Sequence, residues 1–586
     1  MEIIRDVEGI QRLIELLADA PFVALDTETT GLDPNVDRLL LIQVGTANRQ
    51  GVIDAEAMTP ALLGEIFRAD RLVVLHNASF DLKMLVGRFG VWPGLWEAKV
   101  ADTLLAELLL RNGRSSEIAM NGYGLKVLAA RYAGMELDKS IRQGFCVIES
   151  IDALSDAELH YAARDVEATW KVFSEQLALL EREHLLRALA IEGAAAIAFA
   201  VMELRGAPID AAGWQVLLDG EAKESREARS VLDREFWSVA HPDLFGGTTL
   251  NYDSDEEVLE ALGKLGVSLT STKLEALRAT GHPAACALAT YRDHQRTVAT
   301  YGASFLAHVH AKTGRLHPRF TSLGAISGRA SCKEPNLQSI PATSAFRACF
   351  RAPPGRRIIT ADYSAAELRV IAELSQDPVF LKTLRDGLDL HAIVARKLFG
   401  RSVSKTENPE LRARAKAINF GLAYGMGAQG LANQLGVPLG EAEKLLEDYF
   451  RAFPRIRDYL NRTARDALRA GRTETLSGRR FWFIDARRDG KDEATLLRIA
   501  KNVPIQGSSA DITKLAMARA TAVFHREGLD AFMVNMVHDE LVVEAAEGVA
   551  DRAKKILVRE MVDAGRAFLP SVPVEVDSVV RETWSK

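Results

Sequence analysis

Cysteine is scarce, with Cys146, Cys286, Cys332 and Cys349 far apart in 586 residues and no CxxC pair. A disulfide framework and a cysteine zinc site are excluded as organising features, and a reducing compartment is expected. No apolar run approaches the ~20 residues that span a bilayer. The opening MEIIRDVEGI is acidic where a signal or transit peptide is basic, so the expected location is the cytoplasm. Internal repeats and low-complexity tracts are also absent. With 48% hydrophobic and 26% charged residues, the composition is that of a folded globular protein, not a disordered, collagen-like or coiled-coil chain. At roughly 100 to 200 residues per domain, the length predicts several domains with large cores.

A basic balance is missing too, since the net charge is −6. The acidity is uneven. Residues 1–190 carry 19 Lys+Arg against 29 Asp+Glu, a balance of −10, and the remainder is +4. A phosphate-binding surface needs local positive potential, so a nucleic-acid partner stays open.

From Pro21 to Ile53 the apolar runs FVALDTETT, RLLLIQVG and GVID alternate with turn residues and predict a strand meander. RLVVLHN adds a strand. From Phe80 onward helical spacing prevails, in DLKMLVGRF, VADTLLAELLL and DAELHYAARDVEATWKVF among others. The first ~180 residues therefore read as an α/β domain with one mixed sheet. A helical stretch from Leu177 to Leu204 ends at RGAPID, a boundary signal. The segment from there to about Gly302 is mostly helical, and the remainder mixes short strands with long helices in one large domain.

Three acidic features stand in the first region. Asp26 and Glu28 in VALDTET are two apart on a strand and share a face, although a solvated surface strand carries such a pair equally well. Asp81 in HNASFD opens a helix, as a simple cap would. Tyr161 and Asp165 in YAARDVEATW lie i, i+4 on one helical face. Paired carboxylates repel unless a cation sits between them. Hard Mg²⁺ or Mn²⁺ takes such oxygens.

The later region holds a second set. Asp362 ends the β-rich run IITADYS and Glu367 begins a helix. MVNMVHDELVVEA is an apolar strand interrupted by His538, Asp539 and Glu540. Buried charge there requires solvent or a metal, and a plain turn also accounts for it. Between them, Arg412, Lys416, Phe420 and Tyr424 recur every four residues and form one oblique helical stripe. Two cations followed by two aromatics suit a ligand with polyphosphate at one end and a flat base at the other. A solvated basic face running into core aromatics gives the same stripe.

In combination, DxE on a strand, Asp after a strand and YxxxD on a helix resemble the three motifs of the DEDD exonucleases, tyrosine subclass. ADYSAAELR, RARAKAINFGLAYG and VHDELV resemble the three signature motifs of family A DNA polymerases, the DNA polymerase I type. SGRASCKEPNLQSIP, LDLH and RIAKNVPIQGSSADITKLAM add to the likeness, which runs from about residue 20 to the C-terminus. The arrangement is similar to a Klenow fragment without a 5′ nuclease. It implies a multidomain α/β and α+β chain: a ribonuclease H-like 3′-5′ exonuclease domain over 1–186, then a right-hand polymerase. The thumb and start of the palm are expected over 187–345, palm over 346–390, fingers over 391–480 and palm again over 481–586.

The resemblance implies that Asp26, Glu28, Asp81 and Asp165 hold two metal ions and that Tyr161 orients the attacking water. Leu32 and Asn77 fall where the exonuclease family contacts the 3′-terminal nucleotide. In the polymerase motifs, Asp362 and Asp539 hold two Mg²⁺ ions, for which Mn²⁺ can substitute, with Glu540 beside them. Arg412 and Lys416 meet the triphosphate and His391 adds a contact near the β-phosphate. Phe420 and Tyr424 form the nucleotide face of mobile fingers, and Glu367 is a steric gate against a ribose 2′-OH. Arg329, Arg498, Asn502, Gln506 and His538 match positions that contact the primer-template. Arg292, Arg296, Tyr291 and Tyr301 on helical spacing are consistent with a thumb helix on duplex phosphates and equally with a plain solvated helix.

Ala365 and Ala366 replace a bulkier pair found in many relatives, which leaves the pocket floor beside Glu367 looser. Phe420, where some relatives have Tyr, predicts discrimination against dideoxynucleotides. No long thumb insertion is present, so processivity is expected to be modest or to depend on an unseen replisome partner. The expected protein is a monomeric, template-directed DNA polymerase with proofreading. It would work on primer-template DNA and dNTPs, with a single-stranded 3′ end entering the exonuclease site, in phage or prophage replication or in bacterial repair. The first region alone also resembles RNase D-like nucleases, and a catalytically silent DNA-binding scaffold is the remaining alternative. The full acidic sets argue against both.

Overall fold

The computed structural model describes residues 2–584 except 115–121, 146–147, 149, 241–247, 342–344 and 424, and for 139, 142, 143, 420, 422 and 423 it describes the backbone alone. The chain forms two compact units. One comprises Met1–Gly206, Pro318–Gln338 and Pro354–Arg581; the other comprises Ala207–His317, Ser339–Pro353 and Glu582–Lys586.

The N-terminal part of the first unit is built on strands β1 (Ile3–Ile4), β2 (Phe22–Thr29), β3 (Leu39–Gly45), β4 (Gln50–Asp54), β5 (Leu72–Leu75) and β6 (Lys99–Asp102), in the order β1-β4-β3-β2-β5-β6. The meander β2-β3-β4 is antiparallel and β2-β5-β6 is parallel, so the sheet is mixed as expected. Central β2 is buried on both faces, and a register shift at Glu28/Thr29 marks a bulge at its end. Bulges re-aim side chains next to functional sites.

Three sequence expectations are corrected. VADTLLAELLL is not one helix: Lys99–Asp102 is β6, paired in parallel with β5, and the helix begins at Thr103. A short apolar run has no period to separate strand from helix, and Val100 and Ala101 are buried by tertiary pairing. Asp81 does not open its helix. That helix starts at Ala78 behind Asn77, which lies in the left-handed region at φ 63, and Asp81 occupies the first turn. The stretch from 177 to 204 is two helices, Asp156–Arg182 and Leu186–Arg205, parted at His184, where φ is +53. Ser155 and Glu158 form a reciprocal capping box that starts the first of them.

The C-terminal part of the same unit has strands β7 (Arg356–Tyr363), β8 (Ala531–Val537), β9 (Glu540–Ala546) and β10 (Val576–Arg581) in the antiparallel order β8-β9-β7-β10. Register sets Asp362 directly opposite Glu540. The 34-residue helix Glu493–Arg526 accompanies this sheet. Helix Leu186–Arg205 joins the two parts of the unit: a Cβ at Gly193 would stand 1.9 Å from the Val100 carbonyl oxygen of β6. Asn112 Nδ2 donates to the carbonyl oxygens of Ile326 (3.0 Å) and Arg480 (2.9 Å).

In the second unit, helices Ala211–Glu235 and Pro283–Tyr301 pack together. Trp214 stacks on Phe305 at 4.3 Å and donates to the Tyr301 carbonyl at 2.8 Å. Tyr291 and Tyr301 are core residues of this unit, and Arg292 is tied to Asp255 at 2.6 Å. The helical spacing of these residues thus largely reflects packing within the unit. No helix of the described residues is long and apolar enough to cross a membrane.

Candidate active sites

The first site forms at the end of β2. One carboxylate oxygen each from Asp26, Glu28 and Asp165 lies within 4.8 Å of the other two, the one such trio of potential ligands among the described residues. Strand alternation brings Asp26 and Glu28 to one face, and helix Asp156–Arg182 packs across β2 to deliver Asp165 and Tyr161. Asp81 is 1% exposed and accepts from Thr27 Oγ1 at 2.6 Å. Burial and then the charge of Asp26 push its carboxyl well above the usual range. The Tyr161 hydroxyl is raised likewise by burial, Asp165 and Glu28, so it stays protonated. Four acids concentrated this way fit a hard divalent cation, which would relieve their mutual repulsion.

Asn77 is exposed, and Leu32 is 70% exposed beside the site strand. The Asn77 turn is held by Asp102, whose carboxylate accepts from the backbone N–H of Asn77 (2.9 Å), Ala78 (2.9 Å) and Leu104 (2.8 Å). Burial raises the Asp102 carboxyl, and these donors oppose the rise. Asp102 was missed in the sequence. Its signal was Asp-Thr ahead of an apolar helix, an N-cap pattern hidden inside a run read as continuous helix.

The second site lies where β7 ends and the β8-β9 hairpin turns. His538, at φ 56, and Asp539 make the turn, and the Tyr363 N–H reaches the Asp539 carbonyl at 3.3 Å. Burial, then Asp362, raises the Asp539 carboxyl to about 7, Glu367 adds to the rise and Arg329 opposes it. Glu540 is 4% exposed and lies in β9 itself, past the turn. Helix Ala366–Ser375 begins after Ala365, at φ 54, and its first turn carries the buried Glu367 to an ion pair with Arg329. Burial and Arg329 lower the His538 imidazole. Neighbouring acids at Asp362 and Asp539 are a donor set suited to divalent cations.

Helix Pro409–Ala423 presents Arg412 and Lys416. Arg412 Nε meets Asp389 Oδ2 at 2.6 Å. His391 is pushed down to about 4 by burial, with Arg412 and Lys416 acting in the same sense against Asp389. It is therefore neutral near pH 7. Its Nδ1 accepts from Asn419 Nδ2 at 3.0 Å, an assignment that places the proton on Nε2. Asp389 and Asn419 were missed as partners; both sit inside the motifs LDLH and AINFG. The Phe420 side chain and Tyr424 lie outside the described residues, so the aromatic half of the stripe does too. Arg498, Asn502 and Gln506 recur every four residues on helix Glu493–Arg526, with Arg498 exposed and the other two half-buried.

A clustered nuclease-type acid site and a second acid site served by a cationic helix, both on one chain, define a nucleotidyl-transfer enzyme joined to a nuclease. The family model described as DNA polymerase family A matches residues 245–586, and the one described as 3′-5′ exonuclease matches residues 1–180. The chain is similar to the DNA polymerase I of Aquifex aeolicus (strain VF5), at 32% identity over all of this chain and 99% of that one. It is 30% identical to the DNA polymerase I of Chloroflexus aurantiacus over all of this chain, but spans only 63% of that relative's length. Among solved structures, the POL domain of Pol1 from M. smegmatis, in complex with DNA primer-template and dNTP, superposes with a TM-score of 0.79 at 29% identity, covering 99% of each chain. The chain belongs to DNA polymerase family A. Its two domains are those of a DNA-directed DNA polymerase with 3′-5′ exonuclease activity, for template-directed synthesis with proofreading.

Proposed function

We propose that Asp362 and Asp539 are the metal-binding carboxylates of polymerisation and that Asp26, Glu28, Asp81 and Asp165 are those of excision, with Mg²⁺ as the ion and Mn²⁺ able to replace it. When bound, two such cations activate the attacking oxygen and neutralise charge on the leaving oxygen. The observation that carries this reading is the pair of separate acid sites, one a trio within 4.8 Å and the other centred on Asp539, whose carboxyl burial and then Asp362 raise to about 7.

Around them the side chains bind and orient. Arg412, held by Asp389, and Lys416 offer the triphosphate a guanidinium fork and a point charge. Neutral His391 donates from Nε2 toward a phosphate oxygen without adding charge. Phe420 and Tyr424 form the nucleotide face of the fingers. Glu367, held by Arg329, excludes the 2′-OH, and Glu540 supports Asp539. Arg329, Arg498, Asn502, Gln506 and His538 contact primer-template, reading groove edges and backbone. In the exonuclease site the protonated Tyr161 hydroxyl orients the attacking water, and Leu32 and Asn77 hold the terminal nucleotide of a single-stranded 3′ end. The exonuclease domain occupies 1–186, the thumb and start of the palm 187–345, the palm 346–390 and 481–586, and the fingers 391–480; the second compact unit supports placing the thumb within 187–345. The enzyme works as a cytoplasmic monomer in phage or prophage replication or in bacterial repair synthesis.

A 5′-labelled primer-template with a mismatched 3′ end tests this with and without dNTPs. Trimming without dNTPs that Asp26→Ala alone abolishes, and extension that Asp362→Ala alone abolishes, are expected. Trimming that persists with no extension in the unmodified protein would overturn the polymerase roles.

A further inference from the structure

We propose that Arg479 is a positioning residue for the polymerase site: it fixes loop 325–329, and through it the Arg329–Glu367 pair that sets discrimination against ribonucleotides. The proposal rests on the reading of Glu367 as the gate against the 2′-OH.

Arg479 is 1% exposed. Its guanidinium is gripped from two sides. Asp511 Oδ1 accepts from Nε at 3.1 Å and from Nη2 at 2.5 Å, and Glu192 Oε1 accepts from Nη2 at 2.5 Å. Both acids are tied in turn. Glu192 takes Lys514 Nζ at 2.6 Å and Ser322 Oγ at 2.5 Å, and Asp511 takes Ser477 Oγ at 2.6 Å and Thr475 Oγ1 at 3.1 Å. Burial opposes ionisation of Glu192, and Lys514 and Arg479 outweigh it, bringing the carboxyl down to about 2. Two cations and two anions balance in a place closed to water, where losing one member leaves a buried charge unpaired. The arm of Arg479 is therefore as fixed as the core around it.

That arm is the floor of the loop. Gly328 sits at φ +87, and a Cβ there would stand 2.7 Å from Arg479 Nε and 2.8 Å from its Cδ. Gly507 presses from the 34-residue helix, where a Cβ would meet the Ser327 carbonyl oxygen at 2.6 Å. The loop closes on itself, with Gly328 N–H donating to the Ala325 carbonyl at 2.8 Å and the N–H groups of Gly324 and Ala325 to the Arg329 carbonyl at 3.1 Å. Arg329 leaves this loop and meets the buried Glu367 carboxylate. Because the loop has so little slack, a displacement of Arg479 is passed to Arg329 and then to Glu367. Lysine keeps the charge but has no planar fork to hold Asp511 and Glu192 together.

The test measures single-nucleotide insertion of a dNTP and the matching rNTP in an Asp26→Ala background, so that trimming hides nothing. Arg479→Lys is expected to raise the ratio of rNTP to dNTP use about tenfold. In the chain with Asp26 intact, trimming of single-stranded DNA by Arg479→Lys should stay within about twofold of the unmodified rate. Loss of dNTP and rNTP insertion by one common factor would show a merely structural residue and overturn the proposal. Should Arg479→Lys not fold, Glu192→Gln, which loosens the grip and keeps the shape, is expected to shift the ratio about threefold, and no shift overturns the proposal. Arg329→Ala separates the two levels: if it leaves insertion and ratio unchanged, the assigned role of Arg329 falls together with the proposal. If it alters them while Arg479→Lys does not, only the role of Arg479 falls.

Discussion

In the proposed exonuclease site, the leading charges acting on Asp81 and on Tyr161 are all carboxylates, and the trio of acids already stands within 4.8 Å. In the proposed polymerase site Asp362 and Asp539 have no third acid that close among the described residues, and Arg329 acts against the rise of Asp539. The first arrangement is repulsive without a cation, so under the proposed roles it would take metal before DNA. The second has cations of its own at Arg329, Arg412 and Lys416, as suits a substrate that brings three phosphates. A nuclease site can be a fixed cage, whereas a nucleotide site is completed by its ligand.

The largest effects should come from single acids and should not cross between sites. Asp539→Asn is expected to lower extension about 1,000-fold, a loss of several kcal/mol of charge stabilisation, with trimming of single-stranded DNA unchanged. Asp165→Asn should do the reverse, and steady-state assays of both activities on each variant check the separation.

An intermediate effect is expected where the acids are positioned. Asp102→Asn disturbs the acceptor of three backbone N–H groups at the Asn77 turn and should slow trimming about tenfold, at a stability cost of about 1–3 kcal/mol. Extension rates should not move; if they do, the two sites are less independent than the geometry indicates.

The smallest effect is in stability against pH without metal. The folded-state value of Asp539, about 7, lies above the ~3.9 of an unfolded Asp, so the folded chain binds the extra proton. Its contribution is fully present below about 4 and is lost as pH rises through about 7. In EDTA, Tm should therefore decline by a few degrees across that window, and Asp539→Asn should flatten the decline. A melting series in both proteins measures it.

Much of this comparison was legible in the sequence because the acids lie on local patterns. Asp26 and Glu28 share a strand face, Tyr161 and Asp165 share a helix face, and Asp539 interrupts an apolar strand. What was hidden depends on contacts between distant segments. Asp102 was masked because β6 is four residues long and merges with the helix after it. Arg479 reads as one of two adjacent arginines, and only the fold shows that it is buried against Glu192 while Arg480 pairs with Glu183. The helical spacing of Tyr291 and Tyr301 indicated a helix correctly but could not distinguish a core from a DNA-facing surface.

Calorimetric titration of the metal-free protein with Mn²⁺, in the absence of DNA and nucleotide, tests the contrast between the two sites most directly. Binding that Asp26→Ala abolishes and Asp362→Ala leaves intact, with further binding that depends on Asp362 and appears only after dNTP is added, is the result expected. Nucleotide-free binding that is lost in Asp362→Ala and retained in Asp26→Ala would contradict it.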